Sequence, residues 1–127
     1  MSLNLVAYLP RARGEGHALL DAVAPFVAGG RLEVYRDLQG FSAWIRRPKE
    51  PSSVAIVWDP TREELREIGA MRPLLAGIRT LLVLPDEEAE TVVLAHKLLP
   101  AYVAYVGDGV SDIVSVLERL ARPTGPG

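Results

Sequence analysis

The sequence contains no cysteine. That excludes disulfides, thiolate nucleophiles and cysteine-based metal sites, and it suits a reducing cytosol, so a cytoplasmic location is expected. No apolar run approaches the roughly 18 residues that a membrane span requires. The first residues, MSLNLVAYLP, lack the basic start and cleavage site of a signal peptide, and no membrane partner is expected. Charge of one sign is scarce as well. Lys and Arg total 14 against 16 Asp and Glu, a formal net charge of −2. Nothing there attracts nucleic acid non-specifically. Nearly all the cations are arginine, which reads as the bias of a GC-rich genome rather than as a phosphate site. The only two histidines, His17 and His96, lack a patterned second ligand or base and read as surface residues. No serine occupies a nucleophile elbow, so acyl transfer has no support. The expectation is a protein without enzymatic activity.

What remains is ordinary globular material. Of 127 residues, 49% are hydrophobic and 24% charged, enough for one domain with a sizeable core. That domain is expected over 1–122. Residues 123–127 hold two prolines and two glycines and read as a tail.

Apolar runs alternate with helical patterns along the whole chain. LNLVAYL, from Leu3, reads as a strand buried on both faces. In EGHALLDAVAPFVA, Leu19, Leu20, Val23 and Val27 share one helical face, and Pro25 kinks or ends the helix. RLEVYR alternates as an edge strand does. DLQGFSAWIRR places Leu38, Phe41 and Ile45 on one face behind an Asp37 N-cap. VAIVWD is a third strand. Thr61-x-x-Glu64 then forms a capping box that starts a helix immediately after Pro60. RTLLVLP is a fourth strand. DEEAETVVLAHKLL reads as a helix N-capped by Asp86 and ended by Pro100. AYVAYV is a fifth strand, with Tyr102 and Tyr105 on opposite faces. SDIVSVLERLA is a last helix, with Ile113, Val114, Leu117 and Leu120 facing inward.

Five strand–helix repeats imply an α/β, flavodoxin-like, doubly wound three-layer sandwich. Its five-stranded parallel sheet has the expected order 2-1-3-4-5, with five helices. In this class the functional edge lies at the C-terminal ends of the strands. Those ends read YLPRARG, YRD, WDP, LPDEE and VGDG. The first loop offers Arg11, Arg13, Gly14 and Gly16 as a possible anion loop at a helix N-terminus. It lacks the third glycine of the dinucleotide fingerprint, where Leu19 stands, and the G-K-[ST] of a P-loop. Glu87, Glu88 and Glu90 read as a solvated face of the fourth helix, and Trp44 and Trp58 as packing residues.

The element order, the length and the acid that closes the third strand together resemble the receiver domain of two-component response regulators. The resemblance runs from about Leu3 to Leu120. It is clearest in IRTLLVLPDEEAETVVLAHKLLPAYVAYVGDGVSDIVSVLERL. In that family an Asp at the end of the third strand takes a phosphoryl group from a histidine kinase. Mg²⁺ bridges it to an acidic pair after the first strand, a Thr or Ser ends the fourth strand, and a Lys ends the fifth. A carboxylate attacks phosphorus poorly unless a cation and a lysine neutralise the developing charge. The resemblance makes Asp59 the phosphoacceptor candidate. The other positions depart from the pattern. The acidic pair falls near Tyr8 to Pro10, where there is no acid, the hydroxyl near Leu84 and Pro85, and the lysine near Gly107, with Asp108 beside it.

The resemblance therefore implies a degenerate pseudo-receiver. It acts as a stand-alone signalling module on an unknown signalling protein, or as a homodimer, through the face of the fourth helix, fifth strand and fifth helix. That face is expected to carry Thr91, Ala95, Tyr102 or Tyr105, and part of 111–122. No cofactor is expected. One alternative is a phosphorylatable receiver, with Asp59 accepting the group and Asp86 or Asp108 helping to hold Mg²⁺. Another is a flavodoxin-like protein that binds a small molecule or nucleotide. In the plain structural alternative, Asp59 caps the turn into the third helix.

Overall fold

Two local signals written in the sequence are realised in the computed structural model, which describes residues 4–10, 15–27, 30–49 and 53–121. The Asp37 carboxylate accepts the Gly40 N–H at 2.7 Å and opens a helix. The Thr61 hydroxyl accepts the Glu64 N–H while the Glu64 carboxylate accepts the Thr61 N–H, a complete capping box. Each satisfies backbone donors that the first turn of a helix would otherwise leave without partners.

The strands are β1 (Asn4–Tyr8), β2 (Arg31–Tyr35), β3 (Ser53–Trp58), β4 (Arg79–Leu84) and β5 (Tyr102–Tyr105). The helices are α1 (Glu15–Val23), α2 (Leu38–Arg46), α3 (Arg62–Ala70), α4 (Ala89–His96) and α5 (Gly109–Ala121). All strand pairs are parallel, in the order β2-β1-β3-β4-β5. This is the expected doubly wound sheet. β3 is buried along its whole length, as a central strand covered on both faces must be. β2 is an edge strand and is only half-buried.

The core has two layers because strand side chains alternate between faces. One layer joins Leu5, Ala7, Ile56, Trp58 and Val83 to α1 and α5. The other joins Val6, Tyr8, Val57 and Leu84 to α2, α3 and α4. Tyr102 packs on the first layer and Tyr105 on the second, as their spacing predicts.

Gly109, the first residue of α5, sits against the sheet. A Cβ there would lie 2.7 Å from Val83 Cγ1 and 3.3 Å from Trp58 Cζ3. Real side chains do not tolerate the first distance, so the helix or the core must shift. We expect Gly109→Ala to destabilise the protein by about 1–3 kcal/mol. A urea midpoint unchanged from wild type would show that α5 moves freely.

Several local expectations are corrected. α1 stops at Val23, and Pro25 lies in a 3₁₀ turn, Ala24–Val27. Asp86 does not cap α4: the N-cap is Glu88, with no side-chain cap. The Asp86 carboxylate instead accepts the Glu88 N–H at 3.0 Å. A short acidic side chain readily closes such a turn onto the residue two further on. α4 also ends before Pro100, at His96. Leu99 takes a left-handed φ of 51°, consistent with the steric bar that proline places on a helical predecessor. In α5, Val116 is buried and Val114 only half-buried, and the helix starts two residues earlier than the sequence pattern indicates. The expected tail, 123–127, lies outside the described residues, which end at 121.

Candidate functional site

β1 delivers Tyr8 to the C-terminal edge of the sheet, where the resemblance calls for a metal-binding acid. Its side chain is buried, with 1% of its surface exposed. The ring stacks on Phe41 of α2 at 5.0 Å and 11°, and Phe41 stacks on Trp44 at 5.8 Å and 9°. The Tyr8 hydroxyl donates to the Glu64 carboxylate of α3. Glu64 therefore serves both its own capping box and a residue 56 positions away in the chain. An aromatic residue with a partnered hydroxyl fills this side of the edge.

Trp58, the last residue of β3, fills the other side and is also buried. Asp59 follows it outside the strand, half-exposed. Its N–H still donates to the Val83 carbonyl at 2.8 Å, so the pairing with β4 continues one residue beyond the strand. Its φ is 54°, in the left-handed region. Asp and Asn enter that region more readily than other side-chain-bearing residues, and backbone strain gathers at turns and functional sites. The helix that follows is capped by Thr61, not by Asp59.

The remaining edge positions carry different chemistry from a phosphoryl site. Leu84 is fully buried. Gly107 is exposed with φ 115°, a backbone that a lysine would rarely adopt. The exposed Asp108 opens α5: its carbonyl accepts the Asp112 N–H at 3.1 Å. Among the described residues, no three His, Asp or Glu side chains gather closely enough to hold a metal ion. The described residues at this edge do not supply the cluster of acids that a receiver's Mg²⁺ needs. In the anion loop, Gly16 is the second residue of α1, while Arg11, Arg13 and Gly14 lie outside the described residues.

Asp86 belongs to a charged seam between α3 and α4 that the sequence pattern did not reveal. Arg62 donates from Nε to the Thr91 hydroxyl at 3.1 Å, from Nη1 to Glu90 at 2.9 Å, and from Nη2 to Glu88. Arg66 reaches the other Glu90 oxygen at 3.0 Å. The only advance signal was the run of acids after β4 facing arginines on α3, and sequence alone did not place them together. Hydrogen bonding to Thr91 holds the Asp86 carboxyl below its usual pKa, helped by the Glu88 N–H and by Arg62. The ion pairs are largely exposed, and each is worth about 0–1 kcal/mol.

Because the Asp86 pKa is lower in the folded than in the unfolded chain, its contribution is complete above the ordinary value of 3.8. It fades as pH falls below that value. We expect unfolding midpoints to drop more steeply with acid below that value in wild type than in Asp86→Asn. Parallel acid limbs for the two proteins would sink this assignment.

Thr91 and Ala95, expected on the outer face of α4, are both fully buried. They lie four residues apart and so share the helix face turned to the sheet. The outer surface instead carries Val93, 54% exposed, with Leu99 at 71% in the connection to β5 and Val106 at 40% beyond that strand.

No family model matches the sequence, and no curated protein matches it. Solved structures do resemble the fold. A response regulator from Colwellia psychrerythraea aligns over 94% of this chain and 98% of its own, with a TM-score of 0.67 and 15% identity. A phosphorylated cyanobacterial phytochrome response regulator aligns over 94% and 91%, at 0.65 and 14%. A pilus assembly-related protein from Burkholderia pseudomallei aligns over 94% and 89%, at 0.66 and 15%. The chain has the receiver fold. At such identities the likeness concerns the fold, and function must be argued from the edge residues themselves.

Proposed function

We propose that the protein is a receiver-type signalling module that has given up phosphoryl transfer and acts by non-covalent contact with a protein partner. The observation that carries this reading is Tyr8. A buried, stacked tyrosine bonded to Glu64 occupies the place where a receiver needs exposed acid. Leu84 and Gly107 similarly stand in place of the hydroxyl and the lysine. Among the receiver positions Asp59 keeps its residue type, but a carboxylate attacks phosphorus poorly unless a divalent cation and a lysine at those other positions offset the charge that develops.

The contact surface in this reading is the face of α4, β5 and α5. Its exposed Val93, together with the neighbouring Leu99 and Val106, supplies apolar area for a signalling protein or a second copy of the chain. The reading assigns no cofactor and no catalytic residue.

Two measurements test it. Incubation with a small phosphodonor and Mg²⁺ should add no mass that Asp59→Ala abolishes. An Asp59-dependent gain of one phosphoryl group would overturn the loss of transfer and restore the phosphorylatable receiver. Affinity capture should recover a partner, or light scattering a dimer, that Val93→Glu disrupts. A monomer with no partner would count against the contact surface.

A further inference from the structure

A cavity of about 530 Å³ lies at the opposite edge of the sheet from Asp59. It opens where β1, β2 and β3 begin, below the C-terminus of α2, and its lining includes Arg31, Glu33, Trp44, Arg47, Lys49 and Ser53. We propose that this cavity binds a small anionic molecule, a phosphate or carboxylate compound no larger than a mononucleotide, with Lys49 as the central cation.

Three observations carry the assignment. The first is charge. Among the described residues, the lining carries Arg31, Arg47 and Lys49 and one carboxylate, Glu33, in a chain whose net charge is −2. Positive charge has been concentrated where the composition as a whole gives none. Glu33 is committed to Arg47 at 2.6 Å and accepts the Tyr35 hydroxyl at 3.0 Å. The Arg31 backbone pairs with β1, and its guanidinium makes no hydrogen bond or ion pair with another described residue.

The second is the state of Lys49. Its side chain is half-buried. The ammonium donates to the carbonyls of Ile45 and, at 3.0 Å, Arg47, and lies 5.6 Å from the centre of the Trp44 ring. Among the described residues no carboxylate pairs with it. An ammonium has three donors, and the two carbonyls take two of them. Burial pushes its pKa below the ordinary lysine value. A partly desolvated cation that no described carboxylate pairs with, lining a cavity, is a candidate ligand-binding group. A bound anion would supply the missing charge and move that pKa back up.

The third is size. The volume lies within the range of small-molecule sites. The residues around it combine an indole, a hydroxyl and guanidinium groups, the last suited to forked contact with phosphate or carboxylate oxygens. This site is separate from the proposed partner surface, and its failure would leave that reading untouched.

The test uses the intact chain at low ionic strength, with inorganic phosphate, citrate and AMP as probes and adenosine as the uncharged control. At least one anion should raise the melting temperature in a concentration-dependent manner. Comparing phosphate and AMP with citrate distinguishes a phosphate from a carboxylate ligand. Titration calorimetry should then show roughly a tenfold loss of affinity in Lys49→Gln. A weaker loss is expected in Arg31→Gln, which removes an exposed charge with no described partner, and no change in Asp59→Ala. Lys49→Gln also removes support for the end of α2, so Arg31→Gln serves as the variant that keeps the fold. No shift with any anion at about 10 mM would overturn the proposal. So would equal binding by adenosine, or anion affinity unaltered in both Lys49→Gln and Arg31→Gln.

Discussion

Phe41→Ala is expected to destabilise the protein by about 3–5 kcal/mol, a large share of the stability of a domain this size. Phe41 is fully buried at the middle of a stack of rings. Tyr8 lies on one side at 5.0 Å and Trp44 on the other at 5.8 Å, both nearly parallel to it. Tyr35 meets it at 6.3 Å with a 49° tilt. Truncation removes the ring's own burial, and it leaves a cavity that rigid aromatic neighbours cannot collapse to fill. It also removes ring contacts worth about 0.5–1.5 kcal/mol beyond area burial. Urea denaturation measures the loss. A change below about 1 kcal/mol would show that α2 relaxes onto the sheet and that the stack is not the anchor of this layer.

Tyr8→Asp is the second large effect, and it bears on function. It places a carboxylate where the receiver pattern has one. In a phosphoryl site that exchange would restore a metal ligand. Here the new carboxylate would be buried on the side of the edge where Glu64 now accepts the Tyr8 hydroxyl. Like charges brought closer together repel, and an additional buried charge is unfavourable by several kcal/mol. The lost ring adds a cavity beside Phe41. We expect Tyr8→Asp to be mostly unfolded at neutral pH and to regain structure in acid, as the new carboxyl is neutralised. Tyr8→Phe separates the two contributions: it keeps the ring and removes the hydroxyl that donates to Glu64, a loss of about 1.5–3 kcal/mol. Circular dichroism across pH reads the first variant and urea denaturation the second. A well-folded Tyr8→Asp whose stability rises with added Mg²⁺ would mean that this edge still accommodates a metal.

Much of the fold was legible because its signals are local. The Asp37 cap and the Thr61–Glu64 box act within three residues. The apolar runs of β1, β3 and β4 are continuous because both sheet faces are covered, and that burial is what the runs report. The sequence misled in α4, where Val92, Val93 and Leu94 follow one another and mark no single apolar face. The rotation of such a helix is chosen by what it packs against. That is why Thr91 and Ala95 lie inward while Val93 faces out.

The sequence by itself determined the order of elements, the parallel sheet and the residue types that stand at the strand ends, since residue types and short spacings suffice for those. Only the tertiary structure decided what those residues meet. Tyr8 finds Glu64 across 56 positions of chain, and Arg62 finds Thr91 across 29. Arg31 and Lys49, eighteen positions apart, come to line one cavity at the opposite edge of the sheet. Such meetings depend on strand register and helix rotation, which the whole core sets together, and no local stretch of sequence encodes them.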